Sequence, residues 1–127
     1  MEFEVIQTDL APAAIGPYSQ AIGAGPLLFI SGQLGLDPQT GDLFDPDFEL
    51  QAKRSLENVG QIILSAGCTV SQVVSVDVYL SNMSNFSKFN EIYSAFFGDH
   101  KPARAVIEVS GLPKSASVEI KCILYRG

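Results

Sequence analysis

Two hydrophobic periods run along this chain, and the switches between them mark out its elements. Phe3 to Gln7 and Ser19 to Ala24 read as short strands, and Leu27 to Leu34 as a stronger, more apolar one ending in Ser31-Gly32-Gln33. Ala11-Pro12 and Ile15-Gly16-Pro17 separate the first two, and Asp37-Pro38-Gln39-Thr40-Gly41-Asp42 has the composition of a turn. From about residue 48 to 66, Ala52, Leu56, Val59, Ile63 and Ala66 recur at helical spacing, with Lys53, Arg54, Glu57, Asn58 and Gln61 opposite. This spacing predicts an amphipathic helix with one buried face. Pro46 near its start and Gly67 just past its end fit that helix, although Gly60 inside it lowers the local propensity.

Val74, Val76, Val78 and Leu80 then alternate with Ser75, Asp77 and Tyr79, the two-residue period of a strand with one face on a core. Phe86, Phe89, Tyr93 and Phe96 form one stripe of a second helix that stops at Gly98. The stripe reads as core packing, with Phe86 at its edge within reach of a ligand. Two more alternating segments, Arg104 to Val109 and Ser117 to Tyr125, are joined by the turn-like Ser110-Gly111-Leu112-Pro113-Lys114. Their apolar sets, Ala105, Ile107 and Val109 on one and Val118, Ile120, Cys122 and Leu124 on the other, suit covering by the helices. Arg104 and Glu119 are then expected on the opposite face with Val106, Ile123 and Tyr125. That face is too apolar to be left to water, so burial against other subunits is expected, with ligand sites in clefts between chains.

At 127 residues and 46% hydrophobic content, without repeats or a linker, residues 1–127 are expected to form one domain. A formal charge of −6 disfavours binding to nucleic acid or anionic lipid, so an anionic ligand needs a local cationic site. No apolar run approaches the roughly 20 residues of a membrane span. The start Met1-Glu2-Phe3-Glu4 lacks secretory and transit features, so a cytoplasmic location is expected. Cys68, Cys122 and the sole histidine, His100, make an incomplete metal set, and no metal is expected. Walker, dinucleotide-binding, nucleophile-elbow and zinc-protease motifs are absent, so no cofactor is expected either. His100, in the polar loop Gly98-Asp99-His100-Lys101-Pro102, reads as a solvated loop residue.

Acid, base and anion-binding roles therefore fall on other side chains. Arg104 is the prime anion binder, because guanidinium matches a carboxylate with two parallel hydrogen bonds. The competing reading is an ion pair with Glu108 on its own strand or with Glu119 across the sheet. Glu119, part-buried beside a cleft, could position and deprotonate water, and it too could simply be solvated or ion-paired.

Several ordered segments bear on that choice: Ala13-Ala14-Ile15-Gly16-Pro17-Tyr18-Ser19-Gln20-Ala21, Ile30-Ser31-Gly32-Gln33, Phe89-Asn90-Glu91-Ile92-Tyr93, Pro102-Ala103-Arg104, Leu112-Pro113-Lys114 and Val118-Glu119-Ile120. With them the chain resembles, over essentially its whole length, the reactive intermediate deaminases, the Rid or YjgF family. The resemblance implies an α+β, chorismate-mutase-like fold, with a mixed, mostly antiparallel sheet and two helices on one face. It further implies a homotrimer with three sites between subunits. The implied reaction is hydrolysis of 2-imino acids or their enamine tautomers, released by pyridoxal-phosphate enzymes, to 2-oxo acids and ammonia. In that reading Arg104 grips the substrate carboxylate and Glu119 orients the attacking water. Tyr18 matches a tyrosine closing the pocket, Ser31 and Gly32 match the ligand-contacting loop, and Asn90 matches an asparagine near the site. Phe86 and Val106 complete the expected substrate-binding set.

Two positions depart from the family pattern. Many members have cysteine where this chain has Val106, and several have an acidic residue where it has Lys121. A thiol role is thus put in doubt, and the charge beside the pocket differs. The competing functions are a small-carboxylate sensing module and a holdase chaperone. A ribonuclease role, also described for the family, fits poorly with the acidic composition.

Overall fold

A computed structural model describes residues 2–127. The strands are β1 (Glu4–Ile6), β2 (Ala21–Ala24), β3 (Leu27–Leu34), β4 (Val73–Leu80), β5 (Ala103–Glu108) and β6 (Val118–Tyr125), and the helices are α1 (Phe48–Ser65) and α2 (Phe86–Phe97). All six strands form one sheet in the order β1-β2-β3-β6-β4-β5, antiparallel except where β5 joins β4 in parallel. Both helices pack on one face, giving the α+β architecture and mixed, mostly antiparallel sheet that the family resemblance implies. Among the described residues no helix is long and apolar enough to cross a membrane.

The core lies between that face and the helices. Leu28 and Ile30 of β3, Val76, Val78 and Leu80 of β4 and Val118, Ile120, Cys122 and Leu124 of β6 pack against Leu56, Val59, Ile62 and Ile63 of α1 and Phe89, Ile92, Tyr93 and Phe97 of α2. The α1 N-terminus is capped by Asp47, whose carboxylate accepts from the Leu50 N–H at 3.1 Å. Gly67 and Gly98 take the positive φ angles, 74° and 62°, that let the chain leave α1 and α2.

The buried stripe of α1 is wider than its apolar residues indicate. Asn58, expected on the polar face, is buried and donates to the carbonyls of Leu34 (3.1 Å) and Leu36 (3.0 Å). Ser55 donates to the Gln33 carbonyl at 2.7 Å, and Gln51 Oε1 accepts from the Ser117 backbone and hydroxyl, both at 2.9 Å. Polarity alone assigned Asn58 to solvent, but β3 ends there with unpaired carbonyls that need donors. On α2, Phe97 is buried while Phe96 is only partly so, which turns the stripe slightly from the expected one.

The turn after β5 joins strands that do not pair, since β4 lies between β5 and β6. The faces of β5 are also reversed. Arg104, Val106 and Glu108 lie in register with the core residues Val76, Val78 and Leu80, so they share the helix-side face. Ala105 and Ile107 lie on the uncovered face, where Ile107 is exposed. Glu119, Ile123 and Tyr125 do occupy the uncovered face, as expected, but Arg104 and Val106 do not. β5 is an edge strand reached by α2 only at its inner side, so its more apolar set is not the set that α2 covers. The uncovered face carries a continuous apolar row across four strands, Val5, Ile22, Phe29 and Ile123.

Candidate active site

The expected site residues sort into two groups on opposite faces of the sheet. The first surrounds Glu119. The β3–β6 register slips between Ile30 and Gln33, and this irregularity presents Ser31 and Gly32 to the uncovered face. The Glu119 side chain lies directly over Gly32: a Cβ there would stand 2.8 Å from both Cδ and Oε2 of the carboxylate. Ser31 is fixed by donation from Oγ to the Ser19 carbonyl at 2.6 Å. Buried Gln20 donates to the carbonyls of Thr8 (3.0 Å) and Pro12 (2.8 Å) and accepts from Thr8 N–H (2.7 Å). That knot anchors the loop carrying Tyr18, a residue 53% exposed at the cleft wall.

Glu119, Gly32, Ser31 and Tyr18 line a cleft of about 840 Å³, walled largely by apolar groups such as Pro12, Ile15, Leu36 and Pro113. The Glu119 carboxylate makes no ion pair or hydrogen bond among the described residues. Burial pushes its pKa above the ordinary value, and the nearby Lys121 ammonium offsets part of that rise. A carboxylate so placed is a stronger base toward water than a solvated one. Lys114, in the cleft wall, and the following Ser115 adopt left-handed backbone angles, φ 59° and 56°, and Lys114 Nζ sits 3.7 Å from Asp42. The Leu112-Pro113-Lys114 segment was legible as a motif, but nothing in the sequence assigned Lys114 to the cleft wall.

The second group surrounds Arg104. Its Nη1 donates to Asn90 Oδ1 at 2.8 Å, and its guanidinium carbon lies 4.7 Å from the Tyr93 ring centroid and 5.8 Å from that of Phe86. Val106 follows on the same strand face. Neither ion pair considered for Arg104 forms. Glu108 instead accepts from Met83 N–H at 2.7 Å, and Glu119 lies on the other face of the sheet. Arg54 and Arg126 are both paired with glutamates, so Arg104 alone of the described arginines lacks a carboxylate. Tyr93, expected in the core, is buried. The missed signal is the spacing of Phe86, Asn90 and Tyr93 at i, i+4 and i+7, one line along α2 toward β5.

Two further side chains are accounted for structurally. His100 is not simply solvated: its Nε2 sits 2.6 Å from the Val73 carbonyl, tying the loop before β5 to the start of β4. The Cys122 thiol is buried in the core and its pKa is pushed up to about 12, so it stays protonated and inert.

The family model described as Endoribonuclease L-PSP matches residues 8–125. A RutC family protein of Pyrococcus abyssi is 47% identical over 99% of this chain and 99% of its own length. The mouse protein named 2-iminobutanoate/2-iminopropanoate deaminase is 45% identical over 98% of this chain and 92% of its own. Among solved structures, Escherichia coli TdcF with bound serine superposes with a TM-score of 0.93 at 38% identity, covering 98% of this chain and 99% of that one. The E. coli YjgF gene product gives 0.92 at 39% identity, with the same coverage. With its fold and sequence both matched over nearly their full length, the chain belongs to the endoribonuclease L-PSP family, the YjgF or Rid group.

Proposed function

We propose that this protein hydrolyses reactive 2-imino acids, such as 2-iminobutanoate and the imine tautomer of 2-aminoacrylate, to 2-oxo acids and ammonia. The observation that carries the reading is Glu119: an unpaired carboxylate, raised in pKa by burial, held over a glycine in an apolar cleft. Support comes from relatives at about this identity that bear the deaminase name and from a relative solved with a bound amino acid.

The chemistry follows from the two groups. Arg104 pairs with the substrate carboxylate through its free N–H donors. Glu119 takes a proton as water adds to C2 of the protonated imine, and the C=N electron pair moves onto nitrogen. It returns that proton to nitrogen. The C–N bond then breaks as the hydroxyl oxygen forms the carbonyl, and Glu119 collects the hydroxyl proton for the departing ammonia. Tyr18 and Ser31 bound the space around the reacting carbon, and Phe86, Asn90 and Val106 support the carboxylate end.

Carboxylate and imine carbon are adjacent atoms in the substrate, yet Arg104 and Glu119 belong to opposite faces of one sheet. The reading therefore requires Arg104 of one copy to meet the Glu119 cleft of the next. Two different surfaces meeting in this way make a heterologous contact that closes as a ring. The homotrimer implied by the family is such a ring, and its contacts would bury the apolar row from Val5 to Ile123. The net charge of −6 argues against RNA as substrate.

The test generates 2-iminobutanoate and 2-aminoacrylate in situ and follows 2-oxo acid release with wild type, Arg104→Ala and Glu119→Gln. Acceleration by wild type and its loss in both variants is the expected result. Release no faster than without protein refutes the reading. Carboxylate binding through Arg104 without turnover would make the chain a sensing module, and suppression of aggregation alone would make it a holdase.

A further inference from the structure

An arginine that must receive a carboxylate faces conflicting requirements: its long side chain has to be held, yet a holding carboxylate would occupy the donors and neutralise the charge. Arg104 is held without one. Asn90 takes one Nη1 hydrogen at 2.8 Å, and the guanidinium carbon lies over the faces of two aromatic rings. A ring face carries no formal charge, so it holds the cation without neutralising it.

We propose that Tyr93 is a positioning residue for Arg104, its ring face and not its hydroxyl holding the guanidinium ready for the substrate carboxylate. The naming of that carboxylate rests on the deaminase reading. The ring is well placed for the role. Tyr93 is 8% exposed and is wedged between Phe89 and Phe97, with ring centroids 5.6 and 4.6 Å away, so it offers a rigid platform. Its hydroxyl oxygen is buried without a hydrogen-bond partner among the described residues. Burial raises its pKa in spite of the nearby Arg104, which keeps the phenol neutral and the guanidinium charge uncompensated. Phe86, partly exposed at the end of α2, forms a second, looser wall.

The test uses the full assembled protein and reads KM and kcat with 2-iminobutanoate, together with the Kd for 2-oxobutanoate by calorimetry. Tyr93→Phe keeps the ring and is expected to stay within about twofold of wild type in KM and Kd, without loss of melting temperature. Tyr93→Leu removes it and is expected to raise both about five- to tenfold, leaving kcat and the acidic limb of the pH profile in place. Phe86→Leu, at a position whose change opens no core cavity, is expected to raise both about two- to threefold and serves if Tyr93→Leu does not fold. Equal impairment by Tyr93→Phe and Tyr93→Leu would overturn the proposal by assigning the hydroxyl. A normal Kd in Tyr93→Leu, or in Phe86→Leu where only that variant folds, would overturn it as well. Absence of turnover in wild type would count against the deaminase reading alone, because the Kd series still decides the role of Tyr93.

Discussion

Replacing Gly32 with alanine separates the site from the scaffold more cleanly than removing Glu119 does. Gly32 has no left-handed backbone requirement, so the change costs no backbone strain and trims the unfolded ensemble slightly. The new methyl carbon would stand 2.8 Å from the Glu119 carboxylate against the 3.4 Å where ordinary contact begins, a gap of about 0.6 Å. What it meets is the free end of a flexible side chain, which yields by rotating away. The expected folding cost is therefore below about 1 kcal/mol, a shift of a few degrees in melting temperature at most. Catalysis is less forgiving. A displacement of that order at the proposed general base is expected to lower kcat about 10- to 100-fold, roughly 1.4 to 2.7 kcal/mol of barrier, with KM little changed because Arg104 is untouched. Gly35→Ala is the control, since its methyl would strike the Gln51 backbone, including Cα at 2.8 Å, and must destabilise α1. Steady-state kinetics beside thermal unfolding decide the matter. A Gly32→Ala protein with wild-type kcat would refute the placement of Glu119, and one melting far below wild type would refute the claim that only the side chain moves.

Other expectations follow from the same geometry. Because Glu119 has a raised pKa, kcat/KM should fall as pH drops through that raised value, above the ordinary 4.5, and Lys121→Gln should push the acidic limb higher still. Between 4.5 and the raised value the folded chain binds more protons than the unfolded one, so Glu119 lowers stability as pH rises through that window; Glu119→Gln should melt higher than wild type at pH 7 while losing turnover. Neither variant alone should be active when Arg104→Ala and Glu119→Gln chains are prepared separately, but random co-assembly should recover about a quarter of the sites, and none if each site lies within one chain. Asn58→Leu strands one buried and one part-buried carbonyl and should cost about 2 to 4 kcal/mol in urea unfolding. Thiol titration should find both cysteines protected in the native protein and reactive after denaturation; a reactive thiol in the folded state would contradict the burial of Cys68 and Cys122.

The elements were legible because their periods are strong. β3 matches its expected bounds, α1 differs by one residue at its end, and the turn at 37–42 closes through the Asp37 N–H to Asp42 carbonyl hydrogen bond at 2.8 Å. Sidedness was legible only where the apolar set was unambiguous, as on β6. On β5 the more apolar set faces away from the helices, because the facing depends on which side α2 reaches, a tertiary fact that no local pattern contains. The buried polar residues of α1 escaped for a related reason. Gln51, Ser55 and Asn58 are buried to satisfy carbonyls and N–H groups at strand ends, and their donors and acceptors become meaningful only once those ends are in place.

The reversal on β5 changes what the residue pair means. Had Arg104 and Glu119 shared a face, proximity would have favoured mutual neutralisation, which lowers the carboxylate pKa and removes the free cation. Separated by the sheet, each stays unpaired by a different physical device. Glu119 is kept basic by an apolar cleft and a glycine floor, and Arg104 is kept cationic by an amide oxygen and an aromatic face. An isolated chain thus carries two incompatible charges that cannot quench each other. In the proposed ring the contact that unites them also encloses the substrate, whose carboxylate engages the guanidinium and whose imine carbon faces the base. Assembly is then a condition of catalysis and not only of stability, and dilution below the dissociation constant of the assembly should abolish turnover while leaving secondary structure intact.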